Sequence, residues 1–145
     1  MAQQIIPPGY GEPNFKPSLR ERAKKKPSLQ ERREGNCEQH ASLIRALPCC
    51  VTGITPAGTI HHLKSGPASK ERGMGMKAPD WWGVPLCEEA HLNGVERVGS
   101  RNEFAWFQAH GIADVYELAA ALWSNTGDVD RMAKIVRAHM GRPAR

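Results

Sequence analysis

Apolar side chains recur at helical spacing in four stretches of the chain, and this periodicity predicts four helices. The first is expected over about 38–46, with Asn36 as its cap. The others are expected over about 102–109, 114–123 and 128–140, bounded by glycines or by residues that cap helix termini. The C-terminal part of the chain is therefore predicted to be helical and structural.

Between the first helix and the later ones, the pattern changes to short β-rich segments and loops. Segments 50–52 and 59–62 flank six residues that begin and end with glycine, so a hairpin is predicted there. Residues 64–80 hold five glycines and prolines and four basic residues, which predicts a long basic loop. Pro85 is expected to open a short helix that continues to about Asn93.

These elements divide the chain into an extended basic arm (1–35), an α+β domain (36–125) and a C-terminal helix (126–145) that packs on the domain. The arm has eight basic and four acidic side chains, a net charge of +4, whereas residues 36–145 have twelve and eleven, a net of +1. A cationic arm indicates attraction to DNA phosphates, and the alternative is a solvated tail without a ligand. The candidate DNA contacts are Lys24, Lys25 and Lys26 in the arm and Lys64, Lys70, Arg72 and Lys77 in the loop.

The sequence shows no sign of a membrane span or of export. No apolar run reaches the roughly 18 residues that a span requires, and the N-terminus lacks the pattern of a signal peptide. We therefore expect a cytoplasmic protein without a membrane partner. Its four cysteines are then expected to be thiols or metal ligands rather than disulfides.

Three histidines lie where a metal-assisted hydrolytic site could form. His61 and His62 end a predicted strand, and His91 lies on the helix predicted after it. Neighbouring strand residues face opposite sides, so one imidazole can bind a metal while the other acts as a base. A helix packed across the hairpin can bring His91 to the same point. Phosphodiester hydrolysis needs both a metal and a base. The alternative interpretation is that the three histidines are ordinary residues of the surface or core.

Several motifs, in order along the chain, resemble those of the HNH (ββα-metal) nucleases, and the resemblance covers roughly residues 40–125. The motifs are Leu47-Pro48-Cys49-Cys50-Val51-Thr52-Gly53, Ile60-His61-His62-Leu63 and Val84-Pro85-Leu86-Cys87-Glu88-Glu89-Ala90-His91. The chain is most similar to small phage and prophage nucleases of the recombination-enhancing type.

The resemblance implies a hairpin-helix core that clasps one divalent cation, either Mg²⁺, Mn²⁺, Ni²⁺ or Zn²⁺. It assigns His61 and His91 as metal ligands and His62 as the general base, with Asp80 or Asn93 in place of the asparagine of the motif. The implied function is a DNA endonuclease that leaves a 5′-phosphate and a 3′-hydroxyl. It would act in a bacterial host cell in phage DNA processing or recombination, with a phage or host recombination or packaging protein as a further partner.

One position departs from the family pattern at the metal site. Many relatives carry a further histidine four residues after the helix ligand, where this chain has Val95. Two protein ligands, with water completing the shell, are therefore expected. The departure also favours an alternative function, a non-catalytic DNA-binding or recombination accessory protein that retains the HNH fold. The His61-His62 pair favours the enzyme, because a binding module needs no general base.

A second departure concerns the structural zinc that many relatives hold through two Cys-x-x-Cys pairs. The candidate ligands in this chain are Cys49, Cys50 and Cys87. Thr52 and Ala90 stand where the partners of Cys49 and Cys87 would be. A complete four-ligand site is therefore not expected, and the cysteines are interpreted as small buried residues.

Removal of residues 1–35 is expected to weaken DNA binding and to flatten its salt dependence while the domain still folds. Each lost phosphate contact should reduce the slope of log affinity against log salt by about 0.9 on duplex DNA. DNA affinities of the full and truncated proteins, titrated over a range of salt concentrations, measure this slope. Equal slopes would show that the arm does not contact phosphate.

Overall fold

A computed structural model describes residues 37–72 and 77–141 and shows an α+β fold, a two-stranded antiparallel sheet with several helices. The elements in chain order are α1 (Glu38–Ala46), β1 (Gly58–His62), α2 (Gly66–Glu71), a 3-10 turn (Asp80–Trp82), β2 (Gly83–Cys87), α3 (88–98), a second 3-10 turn (Ser100–Asn102), α4 (Glu103–Ala109), α5 (Val115–Ser124) and α6 (Val129–His139). Within α3, a π-helical turn at His91–Val95 separates two short α-helical pieces. The predictions for the arm, including Lys24, Lys25 and Lys26, and for the cap at Asn36 concern residues outside these ranges.

The four helices predicted from periodicity are confirmed as α1, α4, α5 and α6, with bounds that differ by at most one residue. The carboxylate of Asp114 accepts the backbone N–H groups of Tyr116 and Glu117, and Asp128 accepts that of Arg131. Each aspartate thus satisfies donors that have no partner within the first turn of its helix. Local sequence is enough to set these boundaries.

The strand pairing differs from the prediction. β1 pairs with β2, from Gly58 opposite Cys87 to His62 opposite Gly83, and not with residues 50–52. Residues 50–52 form a turn instead, because Gly53 has a φ of 78° and donates its N–H to the carbonyl of Cys49. The predicted hairpin at 50–62 was therefore wrong, although a longer-range antiparallel pair is present.

Pro85 lies within β2 and does not begin a helix, so that prediction was also wrong. Its carbonyl oxygen accepts the N–H of Cys50, which places its backbone polar groups on the side away from β1. A proline is compatible with this outer side, because no ladder hydrogen bond is lost there. The following helix α3 begins at Glu88, three residues later.

The segment predicted as a long basic loop contains the short helix α2. Pro67 lies in its first turn, where a missing N–H has no cost, and Ala68 is buried against the core. Residues 73–76 of the segment are outside the described ranges.

A single hydrophobic core joins the sheet to helices from both ends of the described chain. Its fully buried side chains include Leu43 of α1, Leu86 of β2, Phe107 of α4, Leu118 of α5 and Met132 of α6. The end of β1 and the start of α4 are thereby held against one another. In the described ranges, every helix is too short or too polar to cross a membrane.

His40 of α1 is a buried histidine behind the sheet. Its Nδ1 lies 2.8 Å from the hydroxyl oxygen of Thr126, and its ring stands edge-on to Trp123 with centroids 4.8 Å apart. Its Nε2 has no hydrogen-bond partner among residues 37–72 and 77–141. Burial lowers the pKa of His40 to about 4, since attraction to Asp80 only partly offsets the loss of hydration and His62 adds to the lowering.

Acid is therefore expected to destabilise the fold through His40. The unfolded chain takes up this proton near pH 6.5 and the folded chain only near pH 4. The contribution of His40 therefore leaves the free energy of unfolding at its maximum above pH 6.5. This free energy falls by up to about 3 kcal/mol as the pH decreases through this window. The free energy of unfolding in urea should fall less between pH 7 and pH 4.5 for His40→Gln than for the wild type. His110→Gln, at an exposed histidine, is the matched control, and an unchanged difference in His40→Gln would contradict this role.

Candidate metal centre and adjoining base

The last two residues of β1 present their imidazoles to opposite sides of the strand, as the pleat requires. His61 points inward and is 1% exposed, whereas the side chain of His62 is 12% exposed and reaches an open cleft. The consecutive histidines therefore occupy two different environments, in agreement with the sequence prediction.

His61 is held by two carboxylates from different helices. Its Nε2–H donates to Oε2 of Glu103, the first residue of α4, over 2.9 Å. Its Nδ1 lies 3.4 Å from Oε1 of Glu96 in α3. This buried Nδ1 has no hydrogen-bond partner within the described part of the chain. Nδ1 and this carboxylate oxygen face each other, an arrangement that suits a cation between the two atoms.

His91 and Glu96 complete a group of three ligand atoms with His61. Nε2 of His91 lies 3.3 Å from Oε1 of Glu96, and the rings of His61 and His91 have centroids 5.2 Å apart. The three ligand atoms lie within 4.8 Å of one another, and this group could hold a metal ion. The two predicted ligands are therefore brought together, and Glu96 is a third candidate ligand that sequence reasoning missed.

The π-helical turn explains why Glu96, and not Val95, faces the site. An α-helix would place His91 and the residue four positions later on one face, whereas a π turn brings the residue five positions later to that face. Val95 is only 2% exposed and packs into the core. Gly94 allows close packing beside it, because a Cβ there would lie 2.6 Å from Cζ2 of Trp106. The π turn therefore offers a candidate third ligand beside the two that the sequence predicted.

The charge states of the group suit a divalent cation. Burial and the neighbouring His61 lower the pKa of His91, so its imidazole is neutral and able to ligate near pH 7. Burial tends to raise the pKa of Glu96, but its ion pair with Lys64 outweighs this and keeps the carboxylate ionised. Two imidazoles and one carboxylate form a ligand set that catalytic zinc uses with an open coordination position.

His62 forms a separate pair with Asp80. Its Nε2–H donates to Oδ1 of Asp80 over 2.7 Å, and Oδ2 of the same carboxylate accepts the backbone N–H of Cys37 over 2.7 Å. Burial tends to raise the pKa of Asp80, but these hydrogen bonds lower it more, so the carboxylate is ionised. The pair leaves Nδ1 of His62 as the ring atom that can accept a proton.

Of the two candidates for the asparagine of the motif, only Asp80 contacts the base. The amide of Asn93 instead donates to Glu89 and accepts from Arg97, on the exposed side of α3. The start of α1, the 3-10 turn and the end of β1 meet at Asp80. Nothing in the local sequence around Asp80 indicates this convergence, because Cys37 is 43 residues away.

An open cleft of about 470 Å³ lies over His62 and over the group formed by His61, His91 and Glu96, which we call the metal group. His62, His91 and Glu96 line it, together with the basic residues Arg45, Lys64 and Lys77. Arg45 comes from the last turn of α1, where it also pairs with Glu38 at 3.5 Å. The sequence prediction missed Arg45, because a basic residue on the polar side of a helix is an ordinary feature.

Only some of the predicted DNA contacts lie at the cleft. Lys64 and Lys77 line the cleft, whereas Lys70 is exposed on α2 and Arg72 follows it, and neither lines the cleft. Lys64 is also bound to Glu96, so its ammonium lies directly beside the metal group.

The cysteines suggested for a structural zinc lie in the hydrophobic core. Cys49, Cys50 and Cys87 are all buried, and burial raises the pKa of the Cys50 thiol. Thr52 lies between two of them: its N–H donates to Sγ of Cys49 over 3.4 Å and its hydroxyl to Sγ of Cys87 over 3.6 Å. In residues 37–72 and 77–141, His61, His91 and Glu96 are the one group of three ligands within reach of a common ion.

Comparison with known proteins does not identify the chain. No family model matches the sequence, no curated protein matches it, and no solved structure matches its fold. The likeness to HNH nucleases therefore stays a prediction from the motifs.

Proposed function

We propose that this chain is a metal-dependent DNA endonuclease of the HNH type. The observation that carries the proposal is the meeting of a metal-ligand group and a carboxylate-bound histidine base at one basic cleft. Consecutive residues of β1 supply the two parts, His61 to the metal group and His62 to the base. Hydrolysis of a phosphodiester needs both parts within reach of one phosphate.

His62 is the proposed general base. Nδ1 of its neutral ring takes a proton from water as the water oxygen attacks phosphorus, and the P–O bond to the leaving oxygen breaks. Asp80 holds the Nε2–H, which fixes the tautomer and stabilises the imidazolium that forms. His61, His91 and Glu96 would hold a divalent ion, whose chemistry is to stabilise negative charge on the phosphate and the leaving oxygen.

The three cations of the cleft support a polyanionic substrate. Arg45, Lys64 and Lys77 surround the metal group on the side open to solvent. Charges of this kind attract phosphates and position the backbone without reading its sequence. The formal net charge of +5 adds to this attraction over a longer range.

The ligand set favours transition-metal ions over Mg²⁺. Two imidazoles suit Zn²⁺, Ni²⁺ and similar ions, whereas Mg²⁺ prefers oxygen ligands. Supercoiled plasmid and single-stranded DNA, incubated with Mg²⁺, Mn²⁺, Ni²⁺, Zn²⁺ or EDTA, test both the activity and this order. Binding of DNA without cleavage under any ion would favour the accessory protein instead.

Substitution His62→Ala is expected to reduce cleavage by a factor on the order of 10²–10⁴, because the proton acceptor is lost. Metal affinity and melting temperature should change little, since His62 is not in the metal group. Initial rates of plasmid nicking, measured beside calorimetric metal titrations, separate the two effects. His110→Ala serves as the control, and wild-type rates in His62→Ala would remove this residue from the mechanism.

Substitution Glu96→Ala is expected to remove metal binding and cleavage together. Affinity for Mn²⁺ or Zn²⁺ should fall by more than the roughly 10–100-fold that loss of an outer-shell partner costs. Glu89→Ala, at an exposed carboxylate on the same helix, is the matched control. If Glu96→Ala bound metal like the wild type, only His61 and His91 would remain as ligands, as the sequence alone suggested.

A further inference from the structure

Glu103 is a buried carboxylate next to the metal group, and it is only 1% exposed. Its Oε1 accepts the backbone N–H groups of Lys64 and Ser65, at 2.9 and 3.1 Å, and the hydroxyl of Ser65 at 2.7 Å. Its Oε2 accepts Nε2–H of His61 at 2.9 Å. Burial of a carboxylate is costly unless it is hydrogen-bonded, and here both oxygens are satisfied.

The hydrogen bonds to Glu103 determine which nitrogen of His61 carries the proton. An ionised carboxylate can only accept, so Nε2 of His61 must be the donor. A histidine ligates a metal only as a neutral ring, and in that form Nδ1 carries the lone pair; Nδ1 is also the atom that faces Oε1 of Glu96. The opposite tautomer would place two acceptors, Nε2 and Oε2 of Glu103, against each other at 2.9 Å.

We infer that Glu103 is a positioning residue of the metal centre, which holds His61 as a ligand through Nδ1. The inference rests on the proposed metal site and names a residue outside the ligand group. The carboxylate fixes the ring orientation and the tautomer, and it makes the imidazole a stronger donor to a cation. The backbone N–H groups of Lys64 and Ser65, directly after β1, anchor Glu103 and keep it rigid while it does so.

Glu103→Gln tests this role with almost no change in shape. The amide oxygen can still accept the N–H groups of Lys64 and Ser65. The amide NH₂ facing His61 can only donate, so Nε2 must become the acceptor and Nδ1 must take the proton. The variant therefore removes the Nδ1 ligand without removing any side chain.

We expect calorimetric titration with Zn²⁺ to show an affinity for Glu103→Gln that is about 10–100-fold below the wild type. Long-range ¹H–¹⁵N spectra of the metal-free proteins, recorded at a pH where the His61 ring is neutral, should show Nε2–H for His61 in the wild type and Nδ1–H in the variant. Ser65→Ala, which removes one hydrogen bond to Glu103 but leaves His61 in place, should keep the wild-type affinity and tautomer. If Glu103 had only a structural role, the Zn²⁺ affinity of both variants would fall in proportion to the loss in their melting temperatures.

Wild-type Zn²⁺ affinity in Glu103→Gln, or Nδ1–H for His61 in the wild type, would overturn the inference. The spectrum of the wild type alone decides the tautomer, so the test holds even if the variant folds poorly. Neither measurement uses DNA. If the wild type bound Zn²⁺ through Nδ1 but cleaved no DNA, the endonuclease proposal would fail while the role of Glu103 would stand.

Discussion

A buried negative charge organises the centre of this protein. Glu103 begins α4 inside the core, where a carboxylate is tolerated only if its oxygens are hydrogen-bonded. The donors come from His61 at the end of β1 and from Lys64 and Ser65 just after it. The end of the strand and the start of the helix are thereby joined at a fixed geometry. The direction of the His61 ring, and hence the place of the metal group, depends on this junction.

The pleat of β1 separates the two chemical functions of the proposed endonuclease, which would both act on one phosphate. His61 lies among carboxylates in the interior, and His62 lies at the cleft with Asp80 behind it. Each histidine is thus bound to its own carboxylate, which fixes one ring nitrogen as a donor and leaves the other for a metal or a proton. Two adjacent residues can have such different roles only because strand neighbours face opposite sides.

Glu96 shows how a local irregularity of a helix can complete a candidate metal site. A regular α-helix would have aligned His91 with Val95, which is apolar and buried. The π turn moves Glu96 into line instead, and Lys64 binds the other oxygen of its carboxylate. One extra residue in the turn therefore replaces an apolar side chain by a ligand, and the site gains a negative charge that a cation can balance.

The sequence by itself determined the parts of the structure that depend on local patterns. Periodicity and capping residues were enough for α1, α4, α5 and α6. The resemblance of the motifs singled out three histidines, of which His61 and His91 meet in the candidate metal group. The tertiary structure decided the rest. Pairing of β1 with β2, and the contacts of Glu103 and Asp80 with the histidines, join residues that are 18 or more positions apart. No local periodicity encodes such contacts, because they arise only when the shared core brings distant elements together.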